Sequence, residues 1–274
     1  LKHPGSLVLF LLVMLAAIVT FAVLVFLIAY ILVRGVPYLT PSLFSLEYNS
    51  DNVSLVPAAV NTVLMILMSL LLAVPFGIFA AIYLVEYAKK GNKMISVVRV
   101  TAETLSGIPS IVYGLFGMLF FVTALHWEFS MLSGAFTLAI MILPLVMRTT
   151  EEALMAVPDS YREGSFGLGA GKLRTVFRIV LPSAIPGILA GVILGIGRIV
   201  GETAALMYTS GTVADYAGPM DSGRTLAVHM YVLTSEALHV NEASATAVVL
   251  LVIVIGINAL SGFVAKKLRQ KTGA

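Results

Sequence analysis

From Leu7 to Val33 the chain carries no charged residue. A helix crosses the hydrocarbon of a bilayer in about 20 apolar residues, and the apolar core of a secretory signal is far shorter than this run. A retained membrane-spanning helix is expected here. Five further stretches meet the same test: 56–86, 104–126, 131–150, 183–209 and 243–265, with Pro57 and Pro75 placed to start and to kink the second. The expectation is an all-α membrane protein with six transmembrane helices. Composition agrees, since 59% of the 274 residues are hydrophobic and 11% are charged, where a soluble domain has about half and a quarter.

The same reading excludes several functions. The chain has no cysteine, so disulfides, thiolate metal sites and cysteine nucleophiles are ruled out. The four histidines (His3, His126, His229 and His239) show no metal-ligand spacing, and no metal or cofactor is expected. No basic run with interleaved aromatics points to nucleic acid.

The net charge of +3 says less than the placement of its charges. Of the 17 Lys and Arg residues, all but Arg34, Arg198 and Arg224 fall before the first span, between the second and third, between the fourth and fifth, or after the sixth. That bias predicts both termini in the cytoplasm. Arg34 then snorkels to the outer interface. The outer connections are acidic or neutral, and LAVHMYVLTSEAL (226–238) has helix-like apolar spacing. His229 within it reads as a packing residue. Glu103, close to an apolar run, reads as a helix-start carboxylate, and Glu86, at the inner end of the second span, gets the same structural reading. There is no internal repeat. The chain divides into an N-terminal helix with an outer segment (1–56), a body of the remaining spans (57–265) and a basic tail (266–274).

One span is not purely apolar. Its stretch GVILGIGRIVGETAALMYTSG holds Arg198 and Glu202, four apart and so predicted to share a helix face. Each charge costs roughly 2.5–3.5 kcal/mol at mid-membrane, which makes both candidate substrate residues. Arginine offers a planar fork of donors that fits a tetrahedral oxyanion. A neighbouring carboxylate accepts a hydrogen bond from hydrogen phosphate and repels sulfate, which carries no proton at neutral pH.

The connection 151–182 contains GLGAGK, which looks like a nucleotide loop. The Walker A pattern requires a glycine five before Gly171 and a hydroxyl residue after Lys172; Phe166 and Leu173 stand there instead. The chain is therefore not expected to hold its own nucleotide site. Ser160 and Glu163 have capping-box spacing. The stretch reads as a helix from about Tyr161 to Leu168, a left-handed turn at Gly169 or Gly171, and a basic amphipathic surface helix with Leu173, Val176, Phe177 and Val180 on one face. Pro182 then marks the start of the fifth span.

The string Glu163, Gly164, Ser165, Gly169, Ile179, Leu181, Pro182 resembles the EAA motif of type I ABC importer permeases, with the two alanines replaced by small residues. In that family the stretch, here Ser160 and Phe166 included, is a coupling helix that docks on a separate ATPase. GRIVGETAALMYTSG and ETLSGIPSIVYGLFG resemble the fifth and third helices of phosphate-specific ABC permeases of the A-type chain. The resemblance implies the type I importer fold and a bacterial or archaeal plasma membrane. It also implies phosphate as substrate, and as partners a second permease, two ATP-binding subunits and an extracytoplasmic phosphate-binding protein. A permease for sulfate, molybdate or phosphonate is the nearest alternative, and a self-contained secondary transporter a more distant one.

Overall fold

The structure is a computed structural model that describes residues 4–89, 91, 93–235 and 239–272. Lys2, His3, Lys90 and Glu236 lie outside the described residues. Every regular element among those described is helical. The chain opens with α1 (Pro4–Gly35), apolar on every side and exposed along its length. It packs on the last helix. Two short 3₁₀ turns, Val36–Tyr38 and Pro41–Phe44, lead to α2 (Val56–Ile82), which runs on through a π-helical turn, Tyr83–Tyr87. Pro75 is accommodated inside α2 without ending it.

The third expected span, 104–126, is not one helix. α3 (Lys93–Ser106) and α4 (Ser110–Gly117, continued by a π turn Met118–Ala124) meet at a bend of 100°. Ile108 precedes Pro109, which has no N–H and forces its neighbour away from helical geometry. The break is satisfied locally: Gly107 and Ile108 donate to the Thr104 and Leu105 carbonyls, and the Tyr113 hydroxyl donates to Leu105 O at 2.7 Å. Glu103 therefore sits near the end of α3 and not at a helix start, and it faces Arg148 at 3.9 Å.

α5 (Met131–Met155) is the central helix and the most enclosed of the spans. It extends past the expected 131–150, so Arg148, Glu151 and Glu152 belong to the helix. α6 (Asp159–Gly167) follows, then α7 (Lys172–Thr175), a π turn (Val176–Val180) and α8 (Leu181–Val200), these last three forming one rod from Lys172 to Val200. The expected separate surface helix is thus corrected: it is the lower part of the span. Val176 and Val180 are buried while Leu173 and Phe177 are exposed, so only two of the four are packed inward. The π turn, a known accommodation within helices, carries the rod past Pro182 without a break.

Close packing fixes α8 against α5. A Cβ on Gly191 would overlap the Thr149 hydroxyl; small residues at such crossings are what let membrane helices approach. The four-residue α9 (Ala204–Met207) comes next, then α10 (Leu226–Ser235) and α11 (Val240–Thr272). α10 is the short helix expected from the apolar spacing. The span expected over 183–209 ends nine residues early, at Val200.

At the end of the molecule away from α6, Asn61 of α2 holds the segment before α10. It donates to the Asp215 carbonyl at 2.8 Å and accepts from the Ala217 N–H at 3.1 Å. Arg224 lies buried over the Tyr48 ring, 4.8 Å from its centroid. His229, fully enclosed nearby, is a packing residue as expected. Burial and the Arg224 charge push its pKa down to about 3, against the pull of the Val53 carbonyl. Arg34 is exposed at the end of α1, beside the Tyr30 ring.

Candidate functional site

Arg198 lies in the last turn of α8, partly buried. Gly201 ends the helix, and the Glu202 N–H turns back to the Ile199 carbonyl at 3.2 Å. Glu202 has left the rod. Its Oε1 accepts from the Ala205 N–H at 3.0 Å, and its side chain is buried. The two residues form no ion pair among the described residues. The shared face expected from their spacing requires a helix through Gly201, which the structure does not have.

The neighbours of Arg198 are other charges. It lines a cavity of about 440 Å³ with Arg99 and Glu103 of α3 and Arg148, Glu151 and Glu152 of α5. Arg99 pairs with Glu151. Arg148 donates to Glu152 at 3.1 Å and faces Glu103 at 3.9 Å. Arg198 is the arginine of the three that has no carboxylate. Its planar fork of donors is free of that compensation, and such a fork matches the paired acceptor oxygens of an anion. Reading Arg99, Arg148 and Glu151 as connection charges missed this cluster. The signal was the spacing of Arg148 and Glu152 at i, i+4, in register with the apolar pattern of 131–150.

The EAA-like residues gather at the opposite bend of the chain. Ser160 and Glu163 are exposed, and no side chain caps α6, whose N-cap is Pro158; the capping box is not formed, because helical geometry already begins at Asp159. Ser165 is buried and bonds the Thr175 hydroxyl at 2.8 Å, which ties α6 to α7. Gly169 takes φ +81° and makes the turn, a conformation that side chains disfavour. Gly171 instead has φ −72° and starts α7. Ile179 and Leu181 are half-buried, and Pro182 sits in the first turn of α8. Large apolar side chains project among the polar ones: Tyr161, Phe166, Leu168 and Leu173 are exposed, Leu168 by 91%. Nothing lies within 4 Å of the Cβ that Gly164 lacks, so another backbone can approach there.

A bundle of five apolar spans, or six with the bent pair, with an arginine unpaired among the described residues at a helix break and an exposed turn at one end, is the architecture of a multi-span membrane protein. The chain matches the binding-protein-dependent transport system inner membrane component family over residues 73–273, and it belongs to that family. It is 36% identical to the probable ABC transporter permease protein YqgI of Bacillus subtilis (strain 168), over 72% of this chain and 67% of that protein. It is 39% identical to the phosphate transport system permease protein PstA of Pasteurella multocida (strain Pm70), over 69% of each. In fold it is similar to a chain of the crystal structure of a bacterial alginate ABC transporter in complex with alginate pentasaccharide-bound periplasmic protein (TM-score 0.68, 18% identity, 96% of both chains covered).

Proposed function

We propose that this chain is the membrane-spanning permease of an ATP-driven importer of inorganic phosphate. The observation that carries the substrate is the Arg198 guanidinium, unpaired beside a cavity whose other arginines are neutralised by carboxylates. The similarity to a phosphate transport system permease supports the same choice. Arg198 receives the anion bidentately. Glu202, one break of the backbone away, accepts a hydrogen bond from the hydroxyl that hydrogen phosphate carries and sulfate lacks.

Energy enters at the turn from Ser160 to Pro182. Glu163, Gly164 and Gly169 are exposed beside the apolar Phe166 and Leu168, with room at Gly164 for close backbone approach, the features of a docking surface. Its occupant in this reading is an ATP-binding subunit, two of which serve this chain and a second permease, with an extracytoplasmic phosphate-binding protein at the other end. The basic residues clustered at the α6 end support a cytoplasmic position for that end and, with it, for both termini.

The experiment is radiolabelled phosphate uptake into vesicles holding the assembled transporter, with sulfate as competitor. Arg198→Ala loses uptake while inserting normally, and Arg198→Lys is nearly as poor because a point charge does not reproduce the fork. Uptake at the parental rate by Arg198→Ala, or sulfate competing as well as phosphate itself, would overturn the proposal.

A further inference from the structure

Arg162 of α6 is held by the most extensive side-chain hydrogen bonding in the structure. Its Nε and Nη2 both donate to Glu86 Oε1, at 3.0 and 2.8 Å. Nη2 also reaches the Leu154 carbonyl at 2.9 Å, and Nη1 the Val157 carbonyl at 2.8 Å and Asp159 at 3.1 Å. The pair is largely enclosed, with side chains 14% and 8% exposed. Glu86 belongs to the π turn that ends α2, and Leu154 to the last turn of α5. One guanidinium therefore fastens three pieces of chain: the exposed helix α6, the end of α2 and the end of α5.

A second contact ties the start of α7 to the same end of α2. Lys172, at the start of α7, lies over the Tyr87 ring, 5.0 Å from its centroid. Beneath both contacts Leu84, Leu154, Val157, Val176 and Val180 share one apolar cluster. A cavity of about 810 Å³ opens on the other flank of the pair, so α6 is backed by solid packing on one side and by free space on the other. A push on α6 thus has room to move it, and what moves with it is decided by Arg162.

We propose that Arg162 and Glu86 form the rigid joint that passes displacement of α6 to the membrane-spanning helices, making them positioning residues for coupled transport. The inference rests on the reading of α6 as the ATPase-docking element. α5 carries Arg148 and Thr149, which border the Arg198 cavity, so motion delivered to the end of α5 arrives at the site where the anion is held. Only arginine serves. Its fork spends donors from three separate nitrogens on the carboxylate and on two carbonyls of fixed direction, whereas a lysine ammonium gathers its three donors on a single nitrogen and does not span partners so far apart. A loop without this joint would absorb the displacement in its own flexible residues.

The test uses the complete transporter in liposomes with its binding protein and phosphate, and reads bound ATPase subunit, ATP hydrolysis and phosphate uptake together. Glu86→Gln keeps the shape of the side chain and removes its charge. Arg162→Lys keeps the charge and removes the fork. Glu86→Asp keeps the charge and withdraws it by one methylene, so it leaves no unpaired ion to hinder folding. In each, the ATPase subunit stays bound and hydrolysis continues, while uptake per ATP falls about tenfold, the factor that one charge-assisted hydrogen bond commonly carries. Unchanged uptake per ATP in assembled complexes overturns the joint and leaves the docking reading standing. Loss of the ATPase subunit from the variants assigns the pair to the docking surface itself and also overturns the joint. A parental chain that transports with no ATPase subunit bound overturns the docking reading, a result seen in the parent alone and independent of Glu86.

Discussion

Glu202 closes on the Ala205 N–H at 3.0 Å and not on Arg198, although only three residues separate the two charges. One carboxylate oxygen is thereby committed to a backbone amide at the start of α9, and the other oxygen is left for a second partner. The arrangement gives the residue two separable duties. As an acceptor it holds the chain in its turn after Val200, and as a negative charge it lies four positions along the chain from Arg198, the proposed receptor of the anion.

Replacement separates those duties. Glu202→Gln keeps an acceptor for the Ala205 amide, so melting of the detergent-solubilised protein stays near that of the parent. Glu202→Ala leaves the amide unpaired and costs about 1–2 kcal/mol. If the charge also screens anions, Glu202→Gln lets sulfate inhibit phosphate uptake several-fold better than in the parent. Equal sulfate inhibition in Gln variant and parent would leave Glu202 with the structural duty alone.

At Gly169 the backbone has φ +81° and the space around it is open. Strain and not collision therefore decides what is tolerated. Asparagine adopts this conformation readily and should support normal uptake. Valine, for which it costs about 1–3 kcal/mol, should distort the turn between α6 and α7 and uncouple ATP hydrolysis from uptake. Normal transport by Gly169→Val would remove the turn from the coupling path.

His229 predicts a pH dependence of stability. Its ordinary pKa of 6.5 is lowered to about 3 in the fold, so below pH 6.5 the unfolded chain takes up a proton that the folded chain refuses. Stability is level above pH 6.5 and declines as pH falls toward 3, by at most ~1.4 kcal/mol per pH unit. Thermal melts between pH 7.5 and 4.5, mostly above the carboxylate range, measure the slope. His229→Leu should flatten it, and a slope that survives the substitution would assign it to other groups.

Much of this architecture is legible in apolar run length alone. α1, α2, α5 and α11 fall where uncharged stretches are long enough to cross a bilayer, because hydrocarbon enforces that composition. α3 is not legible in the same way. Lys93, Arg99 and Glu103 give it the look of a connection, while its register is set by Ile95 and Ala102 against the apolar cluster and by Arg99 against Glu151. The break after Val200 was concealed by apolar residues on both sides of Gly201. A four-residue spacing carries no information about whether the helix between its ends exists. Glu86 and Arg162 stand 76 positions apart, and only the folded chain brings them together. Gly169 was legible because a left-handed turn selects glycine directly.

The bend at Gly107–Pro109 also sets a length. The helix from Ser110 to Ala124 rises only about 22 Å at 1.5 Å per residue, against a hydrocarbon core of about 30 Å. Its exposed flank, with Phe116, Leu119 and Phe120, is too short for a bilayer of ordinary thickness. Where such a segment meets lipid, the mismatch is taken up by thinning of the bilayer, by snorkelling of flanking residues or by association with another subunit, at a cost of a fraction of a kcal/mol for each ångström. Acyl-chain length thus becomes a variable that acts on this protein from outside: short chains relax the flank, and long chains load the hinge at Pro109.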